Sequence, residues 1–271
     1  MFLKTLYEKS LIDIPNSWIV DNIIYETVVG SRAYEIHSEK SDTDILSITV
    51  PPVEILFPNT NGYINGFGTR PYNFEHYENT KIIYQDSTYD IKIYSIVKFF
   101  DLCFRSNPDI IDSVFVPPHC IISHSSTANL IYDNRNLFLS KQIKNKIQNY
   151  AYSILTKLKS NTNHSDSKKQ MINKFGFDVK AGSHLVKLMD NGIQILKYEN
   201  IILNNNEKLK QIRNGEWSLS DIETYFYEKE QELEILYTKS TLQEYPDEYK
   251  IKKLLITCIN NVYEVPCPIT I

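Results

Sequence analysis

Along the first third of the chain, apolar residues alternate with polar ones or run in short blocks, the two-residue rhythm of strands. Residues 21 to 29, 44 to 50, 81 to 84 and 89 to 94 predict four short strands rich in Ile, Val, Tyr and Thr. The first, Ile23-Ile24-Tyr25-Glu26-Thr27-Val28-Val29, stops at Gly30, whose backbone permits a sharp exit. Residues 51 to 80 are rich in Gly, Pro and Asn, with Pro58-Asn59-Thr60-Asn61-Gly62 the clearest break, and predict a loop that either covers a site or is a plain surface insertion. After Ser95 the rhythm changes. Ile96, Val97, Phe99, Phe100, Cys103 and Phe104 recur at helical spacing behind Ser95 as a cap, and Pro108 opens a second short helix with Ile110, Ile111 and Val114 inward.

From residue 140 onward the pattern is mainly helical. Ile143, Ile147, Tyr150, Ile154 and Leu158 line one side of a long helix, which a polar loop at 160 to 167 breaks. Further helices are expected at 178 to 196, 219 to 239 and 246 to 263. On the 178 to 196 helix, Lys180, His184 and Lys187 form a narrow polar stripe opposite Leu185, Met189, Gly192 and Leu196. The expected architecture is α+β: a strand-containing half over residues 1 to 139, packed against a helical C-terminal half over 140 to 271.

Composition narrows the function classes. The 271 residues are enough to bury a sizeable core, and the net charge of −4 argues against an indiscriminate polyanion binder. The distribution is uneven: ten Lys/Arg stand against seventeen Asp/Glu in residues 1 to 139, fourteen against five in 140 to 213, and five against eleven thereafter. An acidic half thus adjoins a basic middle segment suited to a triphosphate or an RNA backbone, or simply to a solvated helical surface. Cys103, Cys120, Cys258 and Cys267 form no C-x-x-C unit, which points to reduced thiols and not to a zinc knuckle or disulfide framework. No apolar run is long enough to span a bilayer and the first residues are too charged for a secretory signal, so a soluble, cytoplasmic protein is expected.

Candidate chemistry gathers near Gly30. Asp42 and Asp44 are two apart, so an extended chain turns both carboxylates to one face while Thr43 and Ile45 face the other. Hard oxygen donors in this arrangement suit Mg²⁺, which keeps several waters and bridges carboxylates to substrate phosphates. The hydroxyl of Ser31 and the free N–H groups after Gly30 are suited to a phosphate oxygen. A D-x-D pair and a Gly-Ser dipeptide are each common; their order and spacing after a strand are more telling. His37, His76, His119, His124 and His164 show no metal-ligand spacing.

The stretch from 28 to 44 resembles the signature of nucleotidyltransferases of the DNA polymerase beta superfamily, and more narrowly the bacterial and phage branch that includes RNA repair pathway-associated polymerases. Gly30, Ser31, Ala33, Tyr34, Ser41, Asp42 and Asp44 fill the places of Gly-Ser-x-Ala-Tyr-Gly followed by Ser-Asp-x-Asp, and Glu35 stands where the pattern has glycine. Ser106-Asn107-Pro108-Asp109, the 176 to 184 segment and Ile212-Arg213-Asn214-Gly215-Glu216-Trp217 also look like segments of that branch, so the likeness runs over most of 22 to 260.

The resemblance implies a polymerase beta-like nucleotidyltransferase core with a small mixed sheet as a catalytic domain over 1 to 139, a helical nucleotide- and acceptor-binding domain over 140 to 271, and Asp42, Asp44 and Asp90 as catalytic acids and metal ligands. Asp90 shares a strand face with Lys92, opposite Ile91 and Ile93, and would draw the proton from the attacking hydroxyl; Asp86, the local competitor, sits in a turn. Gly30, Ser31, Arg32, Lys180, His184 and Lys187 would bind the nucleotide, with a plain surface lysine as the alternative for Lys187 and a salt bridge or cap as the alternative for Arg213. Two Mg²⁺ ions, or Mn²⁺, would serve an NTP substrate and release pyrophosphate. The expected acceptor is RNA, with a protein hydroxyl as in AMPylating or antitoxin-type members, or a silent nucleic-acid- or protein-binding relative, as alternatives. A bacterial or phage-infected cell is the implied setting.

Overall fold

The computed structural model describes residues 1–39, 41–64, 73–160, 166–203 and 206–263. Among them, β1 (Ile23–Val29), β2 (Thr43–Thr49), β3 (His76–Tyr84), β4 (Ser87–Ser95) and β5 (Ile121–His124) form a sheet in the order β3-β4-β2-β1-β5. β2 and β4 pair in parallel, and the other neighbours are antiparallel. Gln85 and Asp86, with φ of 48° and 59°, make the tight turn between β3 and β4, since a two-residue hairpin turn of this kind needs positive φ at both positions.

Alternation along the central strands divides the sheet into two faces. Ile45, Ile91 and Ile93 point to one, where Leu3 and Leu6 of α1 (Phe2–Glu8) and Ile19 and Val20 of α2 (Trp18–Asp21) cover them. Leu46 and Ile48 point to the other, and Asp44, Asp90 and Lys92 share that face by the same period. Glu26 of β1 is fully buried; its carboxylate accepts the N–H groups of Phe2 (3.2 Å) and Leu3 (2.8 Å) and the hydroxyl of Ser123 (2.7 Å), capping α1 from across the sheet.

A short turn, α3 (Gly30–Ala33), follows β1, and α4 (Val53–Leu56) follows β2. After β4 come α5 (Ile96–Phe104), α6 (Pro108–Asp112) and α7 (Ser126–Asp133). Side chains of Ser95, Asn107 and Ser125 cap these three by accepting the N–H of the residue three further on. The remaining helices are α8 (Ile143–Lys159), α9 (Asp166–Phe175), α10 (Val179–Tyr198), α11 (Glu207–Asn214), α12 (Leu219–Lys239) and α13 (Glu248–Tyr263). A continuous apolar core runs from Ile24 and Ile48 of the sheet through Phe99, Phe100 and Phe138 to Ile147, Met189, Phe226 and Leu233. α13 returns to the first half, packing on α5 and α7, where Asn261 donates to Thr127 (2.7 Å).

The expected α+β class and mixed sheet are found, and the four expected strands match within a few residues except β3, which begins at His76 and takes the end of the expected 51 to 80 loop. Part of that loop, 65 to 72, and the centre of the expected polar break, 161 to 165, lie outside the described residues. α1, α2, α4, α7, α9, α11 and β5 were not anticipated. Cys103, Cys120 and Cys258 are buried free thiols; Cys267 lies outside the described residues. Among the described residues no helix is long and apolar enough to cross a membrane.

Candidate active site

Val29, the last residue of β1, lies opposite Asp44, and Gly30 then turns the chain away with φ +64°. A Cβ on Gly30 would sit 2.3 Å from Oδ2 of Asp44, so only glycine lets the turn lie against that carboxylate. The guanidinium of Arg32 donates to the carbonyl of Ser41 (3.0 Å), and the hydroxyl of Ser41 accepts the N–H of Ser38 (2.9 Å). These bonds tie the residue just before Asp42 to α3, and they engage Arg32 with the protein itself.

Parallel register sets Asp44 directly beside Asp90, and Asp42 precedes β2 by one residue in an exposed position. Burial pushes the Asp44 carboxyl up to about 6, and the charges of Asp90 and Asp42 push the same way, while Lys92 and Lys180 oppose them. The N–H of Lys81 donates to Oδ1 of Asp90 (2.7 Å); Lys81 has φ 59° at an irregularity in β3 between Asn79 and Ile82 that aims its N–H at the acid. Among the described residues, no three His, Cys, Asp or Glu side chains are gathered closely enough to hold a metal by themselves. The donor set is nonetheless of the oxygen-only kind that holds Mg²⁺ through one or two carboxylates, with water and phosphate completing the shell.

Asp44 and Asp90 line a cavity of about 380 Å³ that reaches Asp109 and Asp112 of α6 and His184 and Lys187 of α10. Its floor is a buried polar network. The hydroxyl of Tyr34 donates to Oδ2 of Asp112 (2.7 Å) and accepts from the amide of Asn191 (2.6 Å), which also donates to Oδ1 of Asp112 (2.9 Å). Lys187 donates to Asp109 and Asp112, both at 3.1 Å, and its ammonium lies 5.0 Å from the centre of the Tyr34 ring. The residue that follows the α3 turn is thereby fastened to the helical half.

The three members of the polar stripe on α10 have different fates. Lys187 is only 11% exposed at its side chain and is not a surface lysine. Burial works against its charge, but Asp112 and Asp109 more than offset this and hold it above the ordinary lysine range. His184 is held down to about 4 by burial and then by Lys187, so it is neutral near pH 7 and offers a hydrogen bond without a charge. Lys180 is exposed on the first turn of α10, and its charge reaches Asp44. Burial holds Arg213 below the ordinary arginine range, while the charges of Asp178 and Asp44 act in the other direction. Asp112, Asn191 and the structural use of Tyr34 were missed. For Asn191 the signal in the sequence is its place one helical turn beyond Lys187, where it continues the polar stripe of Lys180, His184 and Lys187.

Residues 4–211 match the family model of the RNA repair pathway DNA polymerase beta family. The chain belongs to this family. It is therefore a nucleotidyltransferase-like member of the polymerase beta group, and the match takes in the sheet, the Gly30 turn, the acids and α10. It ends one residue before the Ile212 to Trp217 segment. Over 124 residues the family member is 27% identical to an uncharacterized 38.9 kDa protein of the nrdC-mobD intergenic region of Enterobacteria phage T4, covering 45% of this chain and 34% of that relative. The match thus spans about a third of the phage protein's length. A solved nucleotidyltransferase-like protein from Exiguobacterium sibiricum 255-15 is similar over 96% of this chain and 76% of that one, at 8% identity and a TM-score of 0.32.

Proposed function

We propose that this family member transfers a nucleoside monophosphate from an NTP to an acceptor hydroxyl of RNA, with release of pyrophosphate. One observation carries the reading: Asp44 and Asp90 stand side by side on parallel strands with Asp42 close by, and Asp44 bears their repulsion. A polypeptide gathers like charges where a cation is to be received. Mg²⁺, when bound, would neutralise phosphate charge and activate the attacking oxygen.

Asp42 and Asp44 would hold the ions, and Asp90, whose Oδ1 accepts the Lys81 N–H, would accept the proton of the acceptor hydroxyl. Ser31 and the backbone after Gly30 would hold the β and γ phosphates. Lys180, exposed yet close enough to lower the proton affinity of Asp44, suits the same phosphates. His184 would add a neutral hydrogen bond. Lys187 has its charge matched by Asp109 and Asp112 and serves the phosphates indirectly, by fixing the cavity floor. The basic segment from 140 to 213 and the family's RNA repair setting favour RNA as the acceptor.

The test is to incubate the protein with each labelled NTP, Mg²⁺ or Mn²⁺, and RNA, protein or no acceptor. Label on RNA that disappears in Asp42→Asn plus Asp44→Asn is the expected result, together with a Mg²⁺-dependent rise in Tm in the wild type alone. Label on protein would move the acceptor to a polypeptide hydroxyl. No transfer with any acceptor, and no metal-dependent rise in Tm, would overturn the proposal.

A further inference from the structure

Beside the catalytic cavity a second one, about 230 Å³, opens between α8, α9 and α10, and His184 lines both. Its walls are Tyr150, Ile154 and Leu158 of α8, Ile172 of α9, and Phe177 and Ala181 at the start of α10. Phe177 packs directly on the helix backbone because residue 182 is glycine; a Cβ there would come within 2.7 Å of Cε2 of the ring. Tyr150 is 40% exposed although it lies on the stripe of α8 that otherwise turns inward, and its ring meets that of His184 edge-on at 5.3 Å. The volume is below that of a pocket for a drug-sized ligand and suits one ring system. Charge surrounds it asymmetrically: Lys157 lines the opening, Lys180 is exposed next to Ala181, and the acid at this end, Asp178, caps α10 through the N–H groups of Lys180 and Ala181 (both 3.1 Å).

An apolar and aromatic slot with a basic rim is the chemistry that receives a base and follows its backbone phosphates. We propose that the cavity bounded by Tyr150, Phe177 and Ala181 holds an unpaired base of a single-stranded RNA acceptor, with the adjoining phosphates passing Lys157 and Lys180. The inference rests on the nucleotidyl-transfer reading for RNA as the acceptor. His184, shared by the two cavities and neutral, places that base next to the acids without adding charge between them. A double-stranded end cannot enter, because its bases are stacked and paired.

Binding of a short end-labelled oligoribonucleotide is measured by fluorescence anisotropy in EDTA without NTP, for the single strand and for its duplex. The proteins are wild type, Tyr150→Ala, Tyr150→Phe, Ala181→Leu, and Asp42→Asn plus Asp44→Asn. Tyr150→Ala removes a wall, while Ala181→Leu fills the slot without deleting a contact, so loss of folding in one leaves the other informative; melting curves check both. The expected result is preference for the single strand, roughly tenfold weaker binding in Tyr150→Ala and Ala181→Leu, near-native binding in Tyr150→Phe, and binding at least as tight as wild type in the acid variant, which removes two like charges from the path of the phosphates. Equal binding of strand and duplex, no binding at all, or native binding by folded Tyr150→Ala and Ala181→Leu would overturn the inference. Tyr150-dependent binding with no transfer activity would keep the subsite and refute the transferase reading. Transfer to RNA with binding indifferent to residues 150 and 181 would do the reverse.

Discussion

Gly30→Ala separates the fold from the site. At φ +64° an L-residue costs about 1–2 kcal/mol relative to glycine, and the stiffer unfolded chain returns about 0.4–1 kcal/mol, so the backbone effect is a net loss of about 1 kcal/mol. The new Cβ would lie 2.3 Å from Oδ2 of Asp44, against an ordinary contact of about 3.5 Å, so the carboxylate must give way by about 1 Å. Because Oδ2 is the end of a rotatable side chain, swinging it aside adds little to the stability loss. It does misplace the central acid, and an error of about 1 Å in a reacting geometry costs on the order of 10²-fold in rate. Gly62→Ala is the control: φ is +80° there and nothing lies within 4 Å of the added Cβ. Urea unfolding and the initial rate of Mg²⁺-dependent label transfer are measured for both. Both variants are expected to lose about 1 kcal/mol, and only Gly30→Ala to lose about two orders of magnitude in rate. Gly30→Ala working within about threefold of wild type while folded would refute the idea that this turn positions Asp44 for catalysis.

Lys187→Met leaves Asp112 buried without its cation and should cost about 3–5 kcal/mol in urea unfolding, with part recovered by adding Asp112→Asn; a loss below about 1 kcal/mol would contradict the buried network as drawn. Asp44, raised to about 6, binds its proton more tightly in the native state than in the unfolded chain. Stability should therefore fall as pH rises from about 3.8 through 6 and then level off, so Asp44→Asn should exceed wild type at pH 8 by on the order of 1 kcal/mol, discounted for partial solvent exposure, and match it near pH 4. Equal stabilities at pH 8, read from urea curves without metal, would refute the cost of charging Asp44 in its buried place beside Asp90 and Asp42. Glu35, with φ 54° at the place where the family pattern has glycine, carries backbone strain; Glu35→Gly should raise stability by about 0.5–1 kcal/mol, and a lower Tm would show that the side chain contributes more than the strain removes.

How far the fold can be read from the chain depends on which rhythm is local. A period of two puts Asp90 and Lys92 opposite Ile91 and Ile93, and Ile91 and Ile93 are indeed fully buried beneath α1 and α2. The same rhythm cannot say that β2 lies beside β4 and not β3, because that pairing skips a strand, and only it brings Asp44 level with Asp90. Nor could α1 be found from a local cap: the N–H groups of Phe2 and Leu3 are satisfied by Glu26, more than twenty residues away in β1. β5 has four residues, Ile-Ile-Ser-His, and its sequence does not alternate apolar with polar although its exposure does. Helical spacing set Lys180, His184 and Lys187 in one stripe, yet the stripe passes from solvent to cavity wall to buried floor along α10. What changes along it is the neighbour. Lys180 is exposed, whereas Lys187 meets α6, a helix more than seventy residues earlier, whose Asp109 and Asp112 accept from its ammonium beside the Tyr34 ring. Spacing assigns a face, and only packing decides whether that face meets water, substrate or another charge.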